Sequence, residues 1–203
     1  MELIAVPELP MIAPGDDLAR IVMDGLARAG LSLRDRDILV IAQKIVSKSE
    51  GRMVDLIDVE PSGEAMRIAR EVRKDPRLVE VVLSESRRIV RQAPDVLIVE
   101  HRLGYVMANA GVDMSNVQQG ERGTCALLLP ENPDRSACRL REAIAAASGA
   151  DMAVVINDSF GRPWRQGVTG VALGASGIPA LRDRRGRPDL FGRKLEVTVV
   201  CFA

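Results

Sequence analysis

Aromatic side chains are nearly absent: the 203-residue chain carries one Trp, one Tyr and three Phe. Stacking platforms for single-stranded nucleic acid are therefore scarce. With 47% of its residues hydrophobic, the chain must build its core mostly from Val, Ile, Leu and Ala. Net charge is absent too. Lys plus Arg and Asp plus Glu both total 28, so no long-range field draws the chain to nucleic acid or to an anionic membrane surface. The basic run RDRRGR at residues 182–187 is read as a solvated loop. No apolar run approaches the ~20 residues that cross a bilayer, and the opening MELIAVPELP has neither a basic region nor a cleavage signal. A cytoplasmic protein is expected. The single histidine, His101, is too little for a usual zinc site and is read as structural. Cys125, Cys138 and Cys201 are odd in number and unrelated in spacing, which gives neither a disulfide framework nor a zinc knuckle. No GxxxxGK[ST], GxGxxG or GxSxG occurs, which sets aside a P-loop, a dinucleotide fingerprint and a nucleophile elbow.

What is present is a mixture of short apolar runs and helical spacings. Residues 1–6 read as a short strand stopped by Pro7 and Pro10. Asp16 and Asp17 open a helix with Leu18, Ile21, Val22 and Leu26 on one face, and Gly30 ends it. DILVIAQ, residues 37–43, is a buried strand followed by the polar turn KIVSKSEG. Helical spacing returns at 62–74 and 77–84, the second with Asp75 as cap and Pro76 in its first turn. Residues 87–92 and 95–100 form a strand pair around Ala93-Pro94. Residues 104–116 are weakly patterned, and 124–129 form a strand. Asn132 or Asp134 caps a helix running to Gly149. DMAVVI, residues 151–156, is a buried strand leading into NDSFGRP, followed by a glycine-punctuated stretch and a last strand at 194–200. Without the regular alternation of a doubly wound sheet, the expectation is an α+β fold of mixed, largely antiparallel sheets with flanking helices.

Three segments carry chemistry. In NDSFGRP, Asp158 follows an apolar run, Ser159 adds a hydroxyl, Gly161 permits close backbone approach and Arg162 adds a cation. A carboxylate and a hydroxyl at a strand end suit a hard cation such as Mg²⁺ or Mn²⁺, whose shell is often completed by water and phosphate. The alternative is a capped turn in which Asp158 bonds its own backbone. In NAGVDMSN, Asp113 lies among small residues with Asn109 and Asn116 nearby; it is either an N-cap or the second carboxylate of a shared metal. In AQKIVSKSEG, Gln43, Lys44 and Lys48 follow a buried strand, as a phosphate site or as a solvated turn.

In their order along the chain, VPELPMI, DILVIAQKIVSKSEG, ANAGVDMSN, NDSFGRPWRQGVTGVALG and GRKLEVT resemble the coenzyme F420:L-glutamate ligase family. The resemblance spans essentially the whole chain. It implies one catalytic unit over residues 1–203 with two interleaved subdomains, forming a homodimer and lacking the C-terminal part that follows the LEVT strand in the family. It implies GTP contacts from Leu9, Pro10, Met11 and Ile12, from Gln43, Lys44 and Lys48, and from Asn116. It implies metal ligation by Asp113, Asp158 and Ser159. Mg²⁺ or Mn²⁺ is the expected cofactor, with K⁺ as an accessory ion. The partners are GTP, L-glutamate and a deazaflavin coenzyme precursor, with neither nucleic acid nor membrane among them. The implied reaction adds L-glutamate to the coenzyme F420-0 through an acyl phosphate. The alternative is a truncated or diverged metal-binding dimerisation module that no longer ligates.

Overall fold

The computed structural model describes residues 2–115, 124–162 and 164–203. Asp17 opens helix α1 (Leu18–Arg28) by accepting from the Arg20 N–H at 3.0 Å. The helix turns Leu18, Val22 and Leu26 inward at the spacing of an amphipathic face. Strand β1 (Ile38–Ala42) runs directly into helix α2 (Gln43–Ser49). Strand β2 (Met53–Asp55) and helices α3 (Gly63–Val72) and α4 (Pro76–Ser84) follow. Ser62 caps α3, and Asp75 caps α4 with Pro76 at its start. Next come β3 (Ser86–Ala93), β4 (Val96–His101), β5 (Val106–Ala108) and β6 (Cys125–Leu127). Helix α5 (Pro133–Ser148) is capped by Asn132 and ended by Gly149 in a left-handed conformation. Then come β7 (Ala153–Arg162), β8 (Arg165–Ser176), β9 (Leu181–Asp183) and β10 (Val199–Cys201).

Two cores form. One joins Ile12, α1, Ile41, Val46, Ala137, Ile144, Val154 and Ile156, so it draws on both ends of the sequence. The other runs from Leu56 to Leu128 through α3, α4 and the β3–β4 hairpin. The middle of the chain is thus a lobe inserted between two halves of an outer lobe, and the architecture is the expected mixed α+β. Sheets β3-β4-β5, β2-β6 and β9-β10 are antiparallel. The exception positions the site: in sheet β1-β7-β8, β1 lies parallel to β7, from Ile38 opposite Ala153 to Ala42 opposite Asn157.

The structure corrects four local expectations. Residues 2–13 form no strand; Pro7 and Pro10 lack ladder donors, and the segment lies across α1 with Leu9 and Val6 against Gly25. KIVSKSEG is not a turn but most of α2, stabilised by the burial of Val46 and Ser47. The glycine-punctuated stretch is the twelve-residue strand β8. The last strand is short, Val199–Cys201, while Lys194 makes only an isolated bridge to Pro188.

His101 is fully buried and structural, its Nδ1 accepting from the Leu103 N–H at 3.0 Å. Its Nε2 stands 3.4 Å from Glu85, an electrostatic contact rather than a formed hydrogen bond. Arg52 donates to both Glu85 oxygens at 3.1 and 3.0 Å, and Arg102 donates to one at 3.0 Å. Burial alone would raise the Glu85 carboxyl, but His101, Arg102 and Arg52 outweigh it and hold the pKa at about 2, below its ordinary 4.5. A lowered carboxylate stabilises the fold above its unfolded pKa and loses that stabilisation as pH falls through the folded one. Glu85 therefore supports the fold above about pH 4.5 and is lost toward pH 2. The shift corresponds to roughly 3 kcal/mol at neutral pH. Glu85→Gln is expected to lower stability by about that amount at pH 7, with the difference from wild type shrinking below pH 4 in urea titrations. A constant difference across that range would show that the cluster does not act through the Glu85 charge.

Candidate active site

The site sits where β1 ends beside the parallel strand β7, which itself runs on to Arg162. Ala42 pairs with Asn157, so the chain entering α2 and the next residues of β7 emerge together. In open sheets this edge is where ligands bind, because the two chains diverge and leave a crevice. Gln43 opens α2, yet its side chain is buried; its amide donates to Ser47 Oγ at 2.6 Å and to the Leu128 carbonyl at 3.3 Å. That amide ties α2 to the chain beyond β6. Lys44 is partly buried, and Lys48, one turn on, is buried.

Asp113 reaches the same edge from the inserted lobe. It exchanges two backbone hydrogen bonds with Leu127, at 3.0 and 2.8 Å. The turn before it is unusual: Asn109, Ala110 and Gly111 all have positive φ, at 51°, 53° and 69°. Left-handed backbone costs a residue with a Cβ about 1–2 kcal/mol. At Gly111 a side chain is also sterically excluded, since a Cβ would stand 2.8 Å from Leu129 Cδ2. Strain of this kind persists where the surroundings over-determine it, as they do beside functional groups.

The charges converge. Lys44 Nζ lies 2.6 Å from Asp113 Oδ2 and donates to Ser115 Oγ at 2.9 Å and to the Ser115 carbonyl at 3.2 Å. The Ser115 N–H donates to Asp113 Oδ1 at 2.7 Å. Burial would raise the Asp113 carboxyl, but the bonds from Lys44 and Ser115 prevail and lower it. Asp158 is half-buried and moves the opposite way. Burial raises its carboxyl, the nearby charge of Asp113 reinforces that, and the Ser159 N–H and Lys44 only partly offset it. The three groups therefore feel one another, with one carboxylate held ionised and its neighbour pushed toward the proton.

Asp158 does not stand at a strand end: β7 continues to Arg162, paired with β8 through Asp158 opposite Val171 and Ser159 opposite Gly170. Successive side chains of a strand leave opposite faces. Asp158 and Phe160 share the face toward the inserted lobe, where Phe160 packs on Met107, Leu129 and Leu173. Ser159 is exposed on the other face, so its hydroxyl is not beside the carboxylates. Among the N-terminal residues, Ile12 is in the core, while Leu9, Pro10 and Met11 are exposed. The segment ends against α2, with the Gly15 N–H donating to the Ser49 carbonyl at 2.9 Å. Asn116 and the side chains of Arg162 and Arg165 lie outside the described residues. Sequence reasoning missed Ser115, whose signal was the Asp-x-Ser spacing of an Asx turn.

A divalent cation fits this donor set. Among the described residues no three acids, histidines or cysteines cluster. The two carboxylates are the donors on hand, and a hard ion such as Mg²⁺ is often held by only one or two carboxylates, with water and phosphate completing its shell.

A profile of the family described as F420-0:Gamma-glutamyl ligase matches residues 7–203. The chain belongs to this family. Among its relatives, the coenzyme F420:L-glutamate ligase of Methanopyrus kandleri is 48% identical over 97% of this chain and 75% of its own length. The protein of the same name from Methanothermobacter thermautotrophicus is 44% identical over 100% of this chain and 79% of its own. That of Archaeoglobus fulgidus is 41% identical over 100% and 78%. For a member of the F420-0:gamma-glutamyl ligase family, the edge shared by α2, Asp113 and Asp158 is the candidate active site. No helix among the described residues is long and apolar enough to cross a membrane.

Proposed function

We propose that this chain adds L-glutamate to coenzyme F420-0 in a GTP-dependent reaction. The observation that carries the reading is the meeting of Lys44, Asp113 and Asp158 where β1 ends beside β7, in a chain of the family whose relatives bear that ligase name. Joining a carboxylate to an amine in water is uphill, so the carboxylate must be activated. A carboxylate oxygen of the coenzyme tail attacks the γ-phosphorus of GTP, an O–P bond forms, the bond to the β-phosphate oxygen breaks, and GDP leaves. The glutamate amine then attacks the acyl carbon; phosphate departs with the former C–O bonding pair, and the amine gives up a proton.

Asp113 and Asp158 would hold Mg²⁺ or Mn²⁺, with K⁺ as an accessory ion. The divalent ion supplies charge neutralisation for the transferring phosphoryl group. Lys44 and Lys48 meet phosphate oxygens, Leu9 to Ile12 and Asn116 complete the nucleotide contacts, and Gln43 holds α2 in place through its buried amide. Cys125, Cys138 and Cys201 form no disulfide among the described residues, which suits a cytoplasmic location.

A homodimer is part of the same proposal. The arm after β8 exposes Leu181, Leu190, Phe191, Val197 and Phe202, and Arg182 stacks 4.1 Å from the Phe202 ring centroid. A surface this apolar suits a protein partner. One sample serves both tests. Incubated with F420-0, GTP, Mn²⁺ and glutamate, the coenzyme is expected to gain mass in glutamate increments. Light scattering is expected to give twice the 22.0 kDa of one chain. A dimer that binds Mn²⁺ but never changes the coenzyme's mass would establish the alternative, a dimerisation module without ligase activity.

A further inference from the structure

The cation seated on Asp113 is the ammonium of Lys44. Its three donors are all engaged by Asp113 Oδ2, Ser115 Oγ and the Ser115 carbonyl. Asp113 Oδ1 is taken by the Ser115 N–H, so both oxygens of this carboxylate are already in use. The pair is not fixed by packing: the Lys44 side chain is 28% exposed and that of Asp113 38%, and a lysine's four-carbon stem is flexible. A divalent ion on Asp113 and a Lys44 ammonium at 2.6 Å from it would be like charges competing for one carboxylate.

We propose that Lys44 is the built-in counter-ion of Asp113, competing with the divalent cation until a nucleotide polyphosphate draws its ammonium away. Metal and nucleotide binding are thereby coupled through one side chain. This rests on the metal- and GTP-dependent reading above. It assigns Lys44 more than a phosphate contact: without nucleotide, the lysine weakens metal binding by competing for Asp113 and neutralises a carboxylate that would otherwise repel Asp158. With nucleotide, the same charge moves from Asp113 to the phosphates, and the metal takes its place. Lys44 is a positioning residue in this scheme, acting through Asp113.

The test is Mn²⁺ binding to the full chain, followed by the electron paramagnetic resonance of the free ion, with and without GDP. Lys44→Met keeps the length of the stem and removes the charge. It is expected to bind Mn²⁺ about tenfold more tightly than wild type when no nucleotide is present, within the ~5–150-fold range of ordinary site coupling. It is also expected to gain less Mn²⁺ affinity from GDP. A merely structural lysine would leave metal affinity equal or weaken it on removal, and either result overturns the proposal. Asp158→Asn separates the two levels of the argument. If wild type binds Mn²⁺ and Asp158→Asn does not, the metal site stands and an unchanged Lys44→Met sinks the counter-ion role alone. If neither wild type nor Lys44→Met binds Mn²⁺ with or without GDP, the metal-dependent reading falls and takes the counter-ion with it.

Discussion

Asp158→Asn is expected to cripple glutamate addition, lowering turnover roughly a hundred- to a thousandfold, the scale for removing one preorganised electrostatic contact to a transition state. The fold survives the change. An Asn Oδ1 still accepts from the Ser159 N–H, which Asp158 takes at 2.8 Å. The carboxyl of Asp158 is raised by burial and by Asp113, so its ionised form is disfavoured in the metal-free fold. A raised carboxyl gives the fold its best support below the unfolded pKa, and that support is lost as pH rises through the folded value. Removing the charge therefore leaves stability at neutral pH unchanged or slightly higher, and leaves it unchanged in acid. Loss of activity and retained stability are the paired signature, read by coenzyme mass and by urea titration. Turnover that persists at saturating Mn²⁺ removes Asp158 from the metal site; a large loss of stability reassigns it to the fold.

Gly174→Ala is the second large effect, and it is structural. A Cβ at Gly174 would lie 2.3 Å from the Pro133 carbonyl carbon and 2.4 Å from its oxygen. The obstacle is backbone at the start of α5, so no rotamer relieves it. The same junction holds the bond from the Ala175 N–H to Asp134 Oδ1 at 3.0 Å. Forcing α5 off β8 is expected to cost about 3 kcal/mol and to lower the melting temperature by roughly 6–12 °C. Gly63→Ala is the control. It begins α3, its Cβ would meet nothing within 4 Å, and replacing glycine by alanine in a helix is neutral or stabilising by up to ~1 kcal/mol. Equal melting temperatures for the two variants would mean that α5 moves freely over β8.

The same glycine shows why part of the fold was illegible. Gly167, Gly170, Gly174 and Gly177 punctuate the sequence like a loop, yet Gly170 and Gly174 lie inside β8. Gly174 makes room for Pro133, and Gly170 for the Asn157 side chain, whose Oδ1 would be 2.9 Å from a Cβ. A glycine required by close packing and one required by a turn look alike in a single sequence. What could be read was local: the Asp17, Asp75 and Asn132 caps, the apolar faces they open, and the alternation of the β3–β4 hairpin. Helix α2 was missed because its polar residues are buried by tertiary contacts, such as Gln43 to the Leu128 carbonyl. At the site, Asp113, Asp158 and Lys44 could each be singled out by type and surroundings. A shared metal of Asp113 and Asp158 could be suggested from that, but the ion pair of Lys44 with Asp113 could not, since it joins residues brought together only by the fold, and the left-handed turn before Asp113 has no pattern in Asn-Ala-Gly alone.

The insertion of one lobe inside the other also sets an order of events during synthesis. The strand that delivers Lys44 has no partner until β7 is made, about 110 residues later, which at ~5–20 residues per second is roughly 5–20 s of translation. The inserted lobe, contiguous from Leu56 to Leu128, emerges whole within that interval and can collapse before the outer lobe closes. Lys44 and Asp158 come together only when β7 docks beside β1. A nascent chain that has not yet made β7 therefore keeps Lys44 and Asp158 apart, and the three-residue centre forms only once that strand has docked.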